Sequence, residues 1–227
     1  MRKTVIPEIE ESDKPVLPVE MYAKLLAGLD GIRDRAIFLI ACFCALRPSE
    51  LFGLTWGCYS GNVFSIVNTA WRGRLQRKKI KRKNRHGGTN YRLVAIPQAV
   101  HKAIELWRAK CPNPDANALM FPGMQARARK PLATPIHPDN WLRLYPVANR
   151  LEIAFHPTFQ VLPRNFSTHG KKEAHPTEMQ AQLGHSDILT TLDIYMQITD
   201  PEVARMVNQV TNRILGLDGE AEPGSVQ

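Results

Sequence analysis

Three groups of residues in this chain have types and spacing suited to chemistry. Arg47 stands in Ala45-Leu46-Arg47-Pro48-Ser49-Glu50-Leu51, directly after a strongly apolar run. A charge beside a core must be paired or put to use. Pro48 and Ser49 open a short helix whose N-terminus favours an anion next to the guanidinium; an ion pair with Glu50 is the structural alternative. The second group is cationic. Arg72, Arg74, Arg77, Lys78, Lys79, Lys81, Arg82, Lys83, Arg85 and Arg92 share residues 72–92 with no acidic residue. These are ten of the 30 lysines and arginines, and the other 20 nearly balance 21 acids, so the net charge of +9 is concentrated in one segment. Such a segment suits a polyanion, most directly a nucleic acid backbone; a solvated run without a partner is the alternative. The third group is Leu183-Gly184-His185-Ser186-Asp187, with Tyr195 ten residues beyond the histidine. Ser186 or Asp187 can accept from an orphan N–H and cap the helix that carries Tyr195. Alone, that stretch is a turn, a capped helix and a tyrosine that packing can explain.

The elements that must position these groups are legible in outline. Pro18 opens a helix to residue 29, and residues 32–45, apolar almost all round, form a buried central helix. Residues 56–59, 62–70 and 91–96 read as strands, with the basic run and His86-Gly87-Gly88 between the last two. Pro97 opens an amphipathic helix to residue 110. Leu119, Met120 and Phe121 form a short buried segment, and 124–138 an irregular connector. A helix over 137–151 points Trp141, Leu144, Val147 and Ala148 inward. Residues 159–171 form a helix broken near Pro163, 176–183 a short helix, and 201–215 a terminal amphipathic helix. The sum is a mainly helical α+β domain with a small antiparallel sheet, spanning 17–215 between an extended leader (1–16) and a disordered tail (216–227).

Composition excludes several classes. No run of about 18 apolar residues offers a membrane span, and Met1-Arg2-Lys3 is not followed by a signal-peptide core, which predicts a cytoplasmic protein. Cys42, Cys44, Cys58 and Cys111 have neither metal-ligand spacing nor disulfide-scaffold density and read as buried thiols. His137, His156, His169 and His175 are scattered, so neither metal nor cofactor is expected. There is no phosphate-binding glycine loop and no nucleophile elbow.

In order along the chain, Leu46-Arg47-Pro48-Ser49-Glu50-Leu51, a basic strand turn ending in Arg92-Leu93-Val94-Ala95-Ile96-Pro97, and Leu183-Gly184-His185-Ser186 with Tyr195 resemble the catalytic domain of a tyrosine recombinase, the phage integrase family. The similarity covers about residues 18–215. It implies that Tyr195 attacks a DNA phosphodiester to give a 3′-phosphotyrosine and a free 5′-hydroxyl, without metal or ATP. It also implies that Arg47 clamps the non-bridging oxygens, that His185 donates to the same phosphate, and that a lysine of the strand turn protonates the leaving oxygen. Lys83 is the first choice for that acid and Lys81 the second. Lys78, Lys79, Lys81, Arg82, Arg85 and Arg92 would hold duplex DNA, on which the family acts as a homo-oligomer.

The chain departs from the family in two places. The family's His-x-x-Arg corresponds here to Phe159-Gln160-Val161-Leu162-Pro163-Arg164. Aligning Phe166-Ser167-Thr168 with the family's Phe-Ala-Thr sets Gln160 at the histidine and Pro163 at the second arginine, and Leu162 then matches the family's leucine. Aligning on Arg164 instead makes it the second clamp and sets Val161 at the histidine. The favoured first alignment implies a displaced or lost clamp and a disturbed helix, which raises an alternative: a DNA-binding relative with impaired or no cleavage. The family's separate N-terminal DNA-binding domain is also expected to be absent, which would make the chain a fragment, a short member or a decayed element.

Overall fold

Apolar residues on every side of residues 36–43 leave no face for water, and in the computed structural model this segment lies at the centre of the molecule. The structure describes residues 15–77, 92–125, 130–136, 141, 143–170, 182 and 201–217. Helix α1 (Val19–Ala27) is followed by the buried α2 (Ile32–Phe43) and the single turn α3 (Pro48–Leu51). A 3₁₀ turn (Trp56–Cys58) precedes β1 (Val63–Ile66), β2 (Asn68–Trp71), β3 (Arg74–Arg77) and β4 (Arg92–Ala95). Then come α4 (Gln98–Arg108), β5 (Pro122–Gln125), β6 (Lys130–Pro135), α5 (Leu144–Arg150), α6 (Val161–Gly170) and α7 (Pro201–Leu215). The architecture is the expected one, mainly helical with antiparallel strand pairs β1–β4, β2–β3 and β5–β6.

Helices α3, α4 and α6 pack on α2, and α7 closes the far side against α1, α4 and α6. One apolar cluster runs through all of them, and Trp141, Leu144, Val147 and Ala148 all face it. Among the described residues no helix is long and apolar enough to cross a membrane. Cys42, Cys44 and Cys58 are buried thiols, whereas Cys111 is partly accessible; burial pushes the Cys42 thiol well above its usual pKa.

Four local expectations need correction. Residues 56–58 are a 3₁₀ turn and not a strand. Buried Trp56 and Cys58 mimic strand alternation, but the N–H groups of Trp56 and Gly57 donate to Ala118 and Ala116, a loop and not a sheet partner. The expected strand over 62–70 is two strands that change partner at Val67, β1 pairing with β4 and β2 with β3. The start of the basic run is therefore a strand, β3, returning from the turn at Arg72-Gly73. The connector over 124–138 contains the β5–β6 hairpin, with a register shift between Pro122 and Met124. Finally, the helix over 159–171 is unbroken at Pro163: α6 starts at Val161, so Pro163 is its third residue. Proline is tolerated in the first turn of a helix, and α6 continues past it to Gly170.

Candidate functional site

Arg47 takes its position from the way α2 ends. The chain leaves α2 through Ala45, whose φ of 50° is left-handed, a conformation costing a residue with a Cβ about 1–2 kcal/mol. The turn buries Leu46 and presents Arg47 as the residue before α3. The N–H of Arg47 donates to Glu50 Oε2 (3.1 Å) and its Nη1 to Glu50 Oε1 (3.3 Å). The Glu50 side chain is 2% exposed and that of Arg47 61%. The ion pair weighed against a functional role is therefore real, but it engages one nitrogen of a five-donor guanidinium. A carboxylate rooted in the protein holds the near side of an arginine that faces outward.

The start of α6 is brought alongside by an aromatic knot. The Phe159 ring meets Phe52 edge-on at 5.1 Å between centroids and Trp141 at 5.0 Å. Trp141 is fixed in turn by its indole N–H, which donates to Asp34 Oδ1 (2.7 Å) on α2. Thr158 caps α6: its carbonyl accepts from the N–H groups of Val161 and Leu162 (both 3.0 Å), and its Oγ1 from that of Gln160 (3.3 Å). A cleft of about 320 Å³ opens between these pieces, lined by Pro48, Trp141, Tyr145, Thr158 and Gln160 among others. Arg47's chain neighbour and the residue aligned with the family histidine thus flank one cleft. Pro163 and Arg164 follow as the third and fourth residues of α6.

Gln182 is a positioning residue that sequence reasoning missed. It is fully buried; its Nε2 donates to Ala95 O (3.0 Å) and its Oε1 accepts from Ala95 N–H (3.2 Å). The amide therefore serves the edge of β4 away from β1 as a further strand would, tying the chain three residues before His185 to the sheet. A glutamine in an amphipathic stretch carries no sign of this, because the edge it serves is 87 residues away. Arg92 opens β4 opposite Ile66. Lys78, Lys79, Lys81, Arg82, Lys83, Arg85, His185 and Tyr195 lie outside the described residues, as do residues 1–14 of the leader expected over 1–16, the short helix over 176–183 apart from Gln182, and residues 218–227 of the tail expected over 216–227. Among the described residues no cluster of three His, Cys, Asp or Glu side chains is disposed to hold a metal ion.

Comparison with known proteins agrees with this fold. The model of the phage integrase family matches residues 16–202. An integrase from mycobacterium phage Brujita superimposes with a TM-score of 0.63 at 16% identity, over 94% of this chain and 66% of that one. XerA recombinase does so with a TM-score of 0.58 at 14% identity, over 90% and 66%. The Tn1549 transposon integrase in complex with circular intermediate DNA gives 0.59 at 16%, over 87% and 67%. The chain thus spans about two thirds of the length of each. No curated protein matches the sequence.

Proposed function

This chain belongs to the phage integrase family, and from that premise we propose that it cuts and rejoins DNA at specific sites through a covalent phosphotyrosine. The Tyr195 hydroxyl gives up its proton to solvent as its oxygen attacks the scissile phosphorus, the bond to the 5′-oxygen breaks, and that oxygen leaves as a hydroxyl after taking a proton from Lys83, or from Lys81 in its place. One phosphoester replaces another, so the step is reversible without an energy source. A phenol with a pKa of about 10 is a weak nucleophile at neutral pH, so the phosphate must be neutralised first. Arg47 does this with its fork of donors, and His185 donates to the same oxygens.

The observation that carries this reading is Arg47 itself, outward-facing yet held by the buried Glu50, and next in the chain to Pro48, which lines the cleft where α6 begins. Duplex DNA is the substrate, held by Lys78, Lys79, Lys81, Arg82, Arg85 and Arg92, with copies of the chain assembling on it in the cytoplasm. A second reading, DNA binding with impaired cleavage, is favoured by one specific feature: Gln160 and Pro163 stand where the family has histidine and arginine. A nicked suicide substrate, which loses the strand needed for religation, separates the two. A covalent adduct with the native chain and none with Tyr195→Phe is the expected result. Absence of adduct at every protein concentration refutes cleavage and leaves DNA binding alone.

A further inference from the structure

The β2–β3 hairpin ends in a tip that packing does not explain. Trp71 is 59% exposed, while the other three tryptophans, Trp56, Trp107 and Trp141, are buried. Register sets its direction: Ala70, opposite Leu75, turns inward, so Trp71, opposite Arg74, turns outward. The Arg72 guanidinium lies over the indole, 5.7 Å from its centroid, a cation–π distance. Both turn residues are left-handed, Arg72 at φ 47° and Gly73 at φ 71°. A turn of that kind prefers Asn-Gly or Gly-Gly. Arginine at its first position is a costly choice for the fold and places a charge at the apex.

The root of the hairpin is as closely determined as its tip. β2 packs on α3, and a Cβ at Gly53 would fall 2.8 Å from Thr69 Cα and 2.9 Å from Ala70 N. Only glycine permits this approach, so the hairpin stands at a fixed place beside the turn that Arg47 begins. The partner's charge is also defined. Between Glu50 and Glu105 the sequence has no acidic residue, and Arg72, Arg74 and Arg77 on one narrow ribbon repel a second copy of themselves.

We propose that this tip is a base-stacking DNA contact, in which Trp71, backed by Arg72, stacks on an unpaired or unstacked base while Arg72 and Arg74 hold the neighbouring phosphates. This rests on DNA being the substrate. Phosphate oxygens are served by guanidinium groups and gain little from an indole, whose π-face suits a base. In an intact duplex each base is already stacked, and stacking on Trp71 must first overcome that. Where a base is gapped or bulged this cost is absent. The tip therefore discriminates distorted from regular duplex, a selectivity that the lysines and arginines assigned to the backbone do not supply.

The test uses the Tyr195→Phe chain, which cannot form the adduct, and two duplexes of equal length, one intact and one with a single bulged adenine. Trp71 is the one exposed tryptophan, so the indole fluorescence lost in a Trp71→Ala chain reports on it. Stronger quenching by the bulged duplex is expected. Trp71→Ala is expected to weaken binding to the bulged duplex about 10- to 100-fold while changing the intact duplex about twofold or less, with an unaltered melting temperature. Arg72→Ala is expected to weaken both and reduce the salt dependence. Equal effects of Trp71→Ala on the two duplexes, or a change in self-association without one in DNA binding, overturn the tip contact and leave the recombinase reading intact. Failure of the parent chain to bind either duplex at low salt overturns the DNA substrate, and the tip contact with it.

Discussion

Glu50 accepts from both the backbone and the side chain of Arg47 while almost wholly enclosed. Buried carboxylates are expensive unless donors surround them, so this one gives the arginine a fixed origin from which its free donors reach out. Pro163 carries the opposite lesson. A proline inside a helix costs about 3 kcal/mol because an N–H is lost and the ring meets a carbonyl. As the third residue of α6 it lies in the first turn, where proline is tolerated, and the helix continues to Gly170. With Pro163 aligned to the family's second arginine, as proposed, the departure is a missing donor and not a broken helix. Pro163→Arg is expected to leave stability within about 1 kcal/mol and to raise the rate of adduct formation on nicked DNA about 10²-fold. An unchanged rate assigns the second clamp to Arg164, one residue and about 100° further round the helix.

At the scale of elements, the site depends on contacts between pieces distant in sequence. Phe159 joins the start of α6 to Phe52 after α3 and to Trp141 before α5, and Gly53 lets β2 lie against α3. Gly53→Ala would set a methyl 2.8–2.9 Å from backbone atoms of Thr69, Ala70 and Ser49, none of which is the end of a side chain free to yield. It is expected to destabilise the fold by about 1–3 kcal/mol, read as a lower urea midpoint with an unchanged slope. An unshifted midpoint would show that β2 does not press on α3 as described.

For the whole molecule, α7 matters most. As an amphipathic helix after Tyr195 it can in principle pack on its own domain or on a neighbour, and here it packs at home. Val203, Met206, Val207, Val210 and Ile214 are buried in the common core, and the Asn208 side chain accepts from the N–H of Gln98 at the start of α4 (2.7 Å). Val207→Asp, a charge with no partner at a fully enclosed position, is expected to cost about 4 kcal/mol or more. The check is loss of the cooperative thermal transition; a native-like melt would mean that α7 is dispensable to the fold.

The sequence by itself determined the fold class, most helices and the concentration of charge, because these follow from local apolar periodicity, proline and glycine punctuation and simple counting. It also carried the order of motifs that identifies the family. The tertiary structure alone decided whether Arg47 is paired or outward-facing, and it is both. It also decided the strand partners of 62–77, the harmlessness of Pro163 to α6 and the seat of α7. Each of these depends on a partner that is distant in sequence or on a register to the residue, and periodicity records neither. Trp71 shows the boundary most clearly: the sequence contains an indole just before a basic run, and only the pairing of β2 with β3 turns it outward.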